Sequence, residues 1–536
     1  MKRLLNSLKT ELGSPSASPS ATPSLTGSTC DSTDLDRNKQ IDSDDFLLFL
    51  TLYSEQRLAA DLTQDGRLDS SDFLFFASCF EADLAEGPEG PSTYHARSCE
   101  EMVGTGGRVF YSDANRGSMS NSGLSPQLAW GPLQYVIETR KLSQLRDGDV
   151  LCLLGEKHVP EPNRNSDVYL SDLIFGGEGI TVMSQIGHRA HLTKLVIKRS
   201  ENLRIQSVSV SPYYCEFCYD PTGGANGIVL LENTNRVSLV DVESFTAPQE
   251  YISQNWDIRA LTGETEPGNA RRGNGIKAKG ENAELLISFA KVYSVLGGVS
   301  IAVKDGSFAT LENSQIDFVG PEDAIHTGGG HINILRNRVT NIVRWQNDGA
   351  HCDLLQMQPT TKSAIIRGNI FLQQTSTHPM SELAGVAQGI FGGQSCSPCV
   401  VENNIIANDH NHGINIAGDQ PFTHIVNNTV IDIGDQVAGT SPIITSGEDN
   451  VVANNIAHSY SLSELVNQSN NLTITRHDWG ALFVNAEEMD FRLRGTSTAV
   501  DRGRAGFLLD SSLPDAAGNP RIVGVEVDLG ALEYRP

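Results

Sequence analysis

The chain has 536 residues, a net charge of −25 and 50 glycines, with aromatic residues at only 7%. That length allows one large domain with smaller appendages, and the glycine-rich, aromatic-poor profile predicts a turn-rich, mainly β protein. So acidic a chain lacks the basic face that general nucleic-acid binding needs, and it contains no run of 18 apolar residues to span a membrane.

Met1 to Gly13 has a basic start but no apolar stretch long enough for a signal-peptide core. Either the true start lies upstream or export is unusual, so a secreted or cell-surface location is expected from domain type alone. Residues 14–29 are rich in Ser, Pro and Thr and cannot build a core; residues 1–29 are read as a linker.

Two acidic repeats follow, starting 27 residues apart at Asp34 and Asp61. Each puts oxygen-bearing side chains at loop positions 1, 3, 5, 9 and 12, as a short loop must to wrap a hard cation. In the first loop these are Asp34, Asp36, Asn38, Asp42 and Asp45; in the second, Asp61, Thr63, Asp65, Asp69 and Asp72. Gln40 and Arg67 at position 7 complete the candidate ligand sets. Each loop runs into an apolar helix that begins at Phe46 or Phe73. The tandem pair resembles dockerin modules over roughly residues 30–84. The resemblance implies two Ca²⁺ ions and docking to a cohesin-like protein, or retention at a cell surface. Lys39 stands where such loops prefer Gly, which predicts a weaker or more strained first site; the second keeps Gly66. The plainer alternative is a calcium-loop pair that only stabilises a linker.

After a second linker (85–107), short apolar strands recur with asparagine-rich turns. Asn226, Asn274, Asp323, Asp353, Gln388 and His412 each lead a rung, and most rungs carry a second strand led by Asn, as at Asn337, Asn369, Asn403, Asn427 and Asn454. Spacings of 24 (388 to 412) to 35 residues (353 to 388) fit a parallel β-helix, whose coils bury their apolar faces only by stacking. A propeller blade would need four strands. The expected fold is a right-handed parallel β-helix over 108–475. The segments starting at Val109, Gly131 and Asp147 resemble the opening of secreted β-helix proteins, which implies a short helix capping the first coil, and the tail over 476–536, with its segments at Asp490 and Asp528, resembles their closing segment.

The nine cysteines include two CxxC pairs, Cys215–Cys218 and Cys396–Cys399. At ~4.8 Å per coil the pairs lie roughly 29 Å apart, too far to share a zinc ion, so separate disulfides or free thiols are expected.

Strand alternation sends Ile276, Ile325, Leu355, Ile390 and Ile414 inward and the next residue of each rung outward. The first outward column then reads Val229, Lys277, Ala302, His326, Gln356, Phe391, Asn415, and the second places Lys279, Lys304, Gly328 and Gln358 together. Asp323 and Asp353 sit at the bend, and Arg344, Trp345 and His351 stand in the adjoining polar loop. Lone bend aspartates also cap backbone amides, and lysines also lie on ordinary solvated faces.

Two mechanisms suit these residues. In β-elimination on a uronate polymer, Lys277, Lys304 or His326 would remove the proton α to the carboxylate. Arg344 or His351 would bind the carboxylate or protonate the leaving oxygen, while Asp323 and Asp353 orient the base or hold Ca²⁺. In hydrolysis, Asp323 and Asp353 would be the acid and base. Residues 108–536 resemble the pectate-lyase-like β-helix proteins, which include lyases, polygalacturonase-type hydrolases and uronate epimerases. No member's catalytic motif matches residue by residue, and the paired Asp with Gly-His-Gly of the polygalacturonases is missing. The expectation is a secreted polysaccharide lyase acting on an anionic uronate glycan, with its groove centred on His326, His351, Asp353 and Gln356. A glycoside hydrolase and a non-catalytic glycan-binding or adhesion protein are the alternatives.

Overall fold

The computed structural model describes residue 62 and residues 94–160, 167–214, 227–246, 273–320, 322–342, 352–375, 387–418, 420–434, 442–510 and 512–536. The chain divides into two compact units, Met1–Glu89 with Arg504–Leu513, and Gly90–Gly503 with Pro514–Pro536. In the first unit the described residues are Leu62 and the segment around a 3₁₀ turn at Ala505–Phe507. The two acidic loops, their proposed Ca²⁺ ligands and their helices lie outside the described residues.

The second unit is a stack of coils. From Val109–Asp113 to Leu472–Thr473, every paired strand runs parallel to its neighbour on the next coil. Among the described residues the strands form one sheet of 21 and another of 11. The larger sheet turns a corner: Asn274–Ser288 pairs through its first half with Val229–Glu232 and through its second with Asn235–Val240. Most coils therefore carry three strands, one on each of three faces. The unit is mainly β, a parallel β-helix.

Stacking rather than local propensity builds the core. Ile276, Val299, Ile325, Leu355, Ile390, Ile414 and Ile443 occupy successive rungs of the first face and are at most 1% exposed. Each such side chain contributes roughly 1.5–3 kcal/mol on burial, and none could be buried by one coil alone. The alternate residues necessarily face outward, and that fixes the site.

An asparagine ladder holds one bend. Asn337, Asn369, Asn404, Asn428, Asn455 and Asn471 stack so that, from Asn369 on, each side-chain oxygen accepts from the backbone N–H and the amide of the asparagine one coil before it, while the Asn337 oxygen accepts from the N–H of Ser314. The amide contacts measure 3.1 Å for Asn337 to Asn369 and 2.9 Å for Asn369 to Asn404. Every ladder asparagine from 337 to 455 is at most 1% exposed, so the ladder satisfies polar groups that burial would otherwise strand. Asn403, Asn427 and Asn454, just before it, take the left-handed conformation (φ 56° each), which asparagine tolerates better than most side chains.

The ends are closed by different means. The short helix Leu133–Glu138 buries Leu133 and Val136 against the first coils beside Trp130 and Phe110. A Cys99–Cys152 disulfide ties the entering segment to the strand Val150–Leu154. Cys396 and Cys399 form a local disulfide, while Cys215 and Cys218 lie outside the described residues. At the far end Trp479, Phe483, Phe491, Leu493 and Leu529 pack with Ile405, Ile431 and Ile456 on the smaller sheet.

Candidate functional site

The first face presents its outward residues in register: Leu230, Lys277, Ser300, His326, Gln356, Phe391 and Asn415. Two positions differ from the sequence-derived column. Leu230 replaces Val229, which points into the core beside Ile276, and Ser300 replaces Ala302, which lies in the second column with Lys279 and Gly328. Lys304 is displaced from that column. The strand Gly297–Glu312 bulges between Val303 and Phe308, and Lys304 sits in the exposed bulge.

Small residues follow one another here, so the face is recessed. Ser300, Ala302 and Gly328 line an open depression of about 430 Å³, with Lys277 and Lys279 on one side and His326, Gln358 and Thr360 on the other. Asp305 also lines it.

His326 is held in a defined orientation. Its Nδ1 lies 2.8 Å from Asp323 Oδ2 and its Nε2 lies 3.0 Å from the amide nitrogen of Gln358. The network assigns the proton to Nδ1, donating to Asp323, and leaves Nε2 as an acceptor facing the depression. The His326 side chain is 35% exposed and that of Asp323 only 11%. Asp323 is itself fixed by the backbone N–H of Asp353, which donates to its Oδ1 at 3.0 Å.

Behind this pair runs a buried polar column. With the Gln356 amide assigned the orientation its acceptor neighbours require, its nitrogen donates to both Asp323 Oδ2 and Asp353 Oδ2, at 3.1 Å each. Gln388 hydrogen-bonds to Asp353, and its side-chain oxygen meets Nδ1 of His412. The His412 ring lies against Phe391 and His410. Burial, and secondarily the neighbouring Asp323 carboxylate, push the Asp353 carboxyl up to about 8, against a smaller opposing effect of its Gln388 hydrogen bond. Near neutral pH Asp353 therefore keeps its proton. Glu322, one residue before Asp323, accepts from the Asn274 amide at 3.3 Å. Burial raises its carboxyl above the usual range, partly offset by Lys277.

The expected residues thus divide. His326, Asp323, Asp353 and Gln356 form one hydrogen-bonded group, and Lys277 faces His326 across the recess. Asp353 is fully buried, so it lies behind the surface a substrate would touch. Lys304 stands apart on its bulge, and Arg344 and His351 lie outside the described residues. Glu322 and Gln388 were not among the expected catalytic residues; the signal for each was its place at or beside the bend column. Among the described residues, no group of three or more His, Cys, Asp or Glu side chains is arranged to hold a metal ion. Among them, too, no helix is long and apolar enough to cross a membrane.

The fold and site define a parallel β-helix protein with a histidine–carboxylate pair beside a lysine-walled recess. No family model and no curated protein matches the chain. Among solved structures it is similar to the pectate lyase Pel9A, at 12% identity and a TM-score of 0.46, over 82% of this chain and 100% of that one. A rhamnogalacturonan lyase matches at 13% identity and a TM-score of 0.36, over 73% of this chain and 94% of that one. An alginate lyase from Paenibacillus sp. matches at 11% and 0.34, over 68% of this chain and 99% of that one.

Proposed function

We propose that the chain is a secreted polysaccharide lyase that cleaves an anionic, uronate-containing glycan by β-elimination. The observation that carries this reading is the Asp323–His326 pair, whose Nε2 faces a recess walled by Lys277 and Lys279. In the proposed step the substrate displaces the Gln358 amide from His326 Nε2, which then takes the proton α to the sugar carboxylate. The electron pair left on that carbon forms the new C=C bond as the adjacent C–O bond breaks, and the departing oxygen takes up a proton. Lys277 faces the carboxylate and lowers the energy of the developing enolate, with Lys279, itself paired with Glu232 at 3.5 Å, adding positive charge beside it. Asp323 holds the tautomer that leaves Nε2 basic. Arg344 and His351 are the proposed donors to the departing oxygen.

Hydrolysis by an Asp323 and Asp353 pair fits the geometry less well. Asp353 is fully buried, and both Asp323 oxygens already accept hydrogen bonds. A hydrolase also needs its two carboxyl groups presented to the substrate. The two acidic loops are proposed to bind Ca²⁺ and to dock the chain to a cohesin-like partner, on the strength of their tandem ligand spacing.

The test is incubation with a panel of uronate polysaccharides while following the ultraviolet absorbance of unsaturated uronate ends. Absorbance that rises with wild type and is lost in His326→Ala supports elimination at this site. New reducing ends without absorbance would move the assignment to hydrolysis, and binding without either would leave a glycan-binding protein.

A further inference from the structure

A second depression, of about 280 Å³, lies on another face of the coil, near its N-terminal end. Its floor includes the outward residues of three successive rungs, Thr181, Arg204 and Ser238, which pair in register. Leu203 and Ile205 on either side of Arg204 point into the core and are 1% exposed. Strand alternation therefore commits Arg204 to the depression, with a hydroxyl ~4.8 Å away along the ladder on each side.

Arg204 is half-buried, and its guanidinium is only partly used. Nε donates to Gln206 Oε1 at 2.8 Å; among the described residues no carboxylate forms an ion pair with it. Burial pulls its basicity below the usual arginine range, with Tyr94 and the Arg97 cation as lesser influences of opposite sign. Two carboxylates do line the same depression, but each is already held: Asp149 by Arg108 at 2.9 Å, and Glu178 by the N–H of Thr105 at 2.8 Å. At the other side Arg236 pairs with Glu284 at 2.7 Å. Neither the Thr181 nor the Ser238 hydroxyl has a hydrogen-bond partner among the described residues. A half-buried cation without a counter-charge is costly unless an anion completes it.

We infer that this depression is a second saccharide site, in which the two remaining guanidinium nitrogens of Arg204 take the carboxylate of an acidic sugar in a fork. Thr181 and Ser238 take its hydroxyl groups. A planar, two-pronged donor suits a carboxylate better than a lysine would. The site shares no residue with the His326 recess, so it stands whether or not that recess performs elimination. It would hold a second stretch of an acidic glycan, or a second chain.

Calorimetric titration of the full chain with a uronate disaccharide, its neutral counterpart and inorganic sulfate tests this. The wild type is expected to show a binding event that Lys277→Met/Lys279→Met leaves intact. Arg204→Gln is expected to weaken it by about tenfold or more, as befits loss of a charged hydrogen-bond pair. Arg204→Lys should recover only part of the affinity. If Arg204→Gln does not fold, Thr181→Ala/Ser238→Ala carries the test, with weaker disaccharide binding expected and unchanged sulfate binding. An isotherm unaltered by Arg204→Gln overturns the proposal. So does sulfate binding as tightly as the disaccharide with no effect of removing the hydroxyls, which would leave a simple oxyanion site.

Discussion

Asp353→Asn changes one buried atom from oxygen to nitrogen and should make the protein more stable at alkaline pH. In the folded state the Asp353 carboxyl titrates at about 8, because burial and then the Asp323 charge oppose its ionisation. In the unfolded chain it titrates near 4. Between those values the unfolded chain has released a proton that the folded one retains. Stability is therefore fully present below about pH 4, falls as pH rises, and levels off above about pH 8. The two titrations lie about four pH units apart, which sets an upper bound on the order of 5 kcal/mol for this single group. Asparagine fills the same space without a charge and removes that dependence. Guanidinium unfolding of both proteins, at intervals between pH 4 and 9, reads it directly. The wild-type midpoint should fall across this range relative to that of the variant, and the two curves should separate most by pH 8. Parallel curves would refute the account of Asp353 as a buried, protonated acid.

The other predictions concern the recess and the acidic loops. Asp323→Asn leaves one acceptor oxygen for two donors, the Asp353 N–H and His326 Nδ1–H, so the His326 proton is no longer held on Nδ1; turnover should fall on the order of 10²-fold or more, with a shifted pH–rate profile and an unchanged fold. Ala302→Leu fills the floor between Lys279 and Gly328; it should raise KM for a uronate polymer steeply while leaving the thermal midpoint within a few degrees, because residue 302 faces outward. Removing Ca²⁺ with a chelator and restoring it by calorimetric titration should reveal binding at the acidic loops, with Asp61→Asn/Asp65→Asn abolishing the tighter event.

Much of this architecture is legible in the sequence because a coil repeats its pattern. Ile276, Ile325, Leu355, Ile390 and Ile414 declare themselves as an inward column by recurring at the same place in successive rungs, and all are buried. The paired asparagines announce their ladder in the same way. What the spacing hides is any coil with extra residues on one strand. Val303 pairs with Gly329 and Phe308 with His331, so four residues on one strand oppose one on the next. Ala302 falls in the wrong column for a separate reason, alignment of its rung on Ile301 instead of Val299, and the bulge then carries Lys304 out of register. Gly329 marks the place: its φ is 83°, and a side chain there would collide with the Val303 carbonyl. Depth was also hidden. Nothing in the letters distinguishes Asp323, 11% exposed beside His326, from Asp353, one coil further on and fully covered.

The recess owes its shape to one rung of small residues. Ser300 and Ala302 are the outward residues of that rung ahead of the bulge, and Lys304 stands beyond them on the bulge. The neighbouring rungs then become walls: Lys277 and Lys279 on one side, His326 one rung to the other, about two strand spacings or ~9.6 Å from Lys277 along the stack. Elimination needs a cation at the carboxylate and a base at the adjoining carbon, on opposite flanks of one sugar ring. A flush β surface separates its side chains by a single spacing and offers no room between them. A single recessed rung supplies that room while keeping both walls on rigid, hydrogen-bonded strands, so the geometry of the recess comes from the stacked coil and not from a mobile loop.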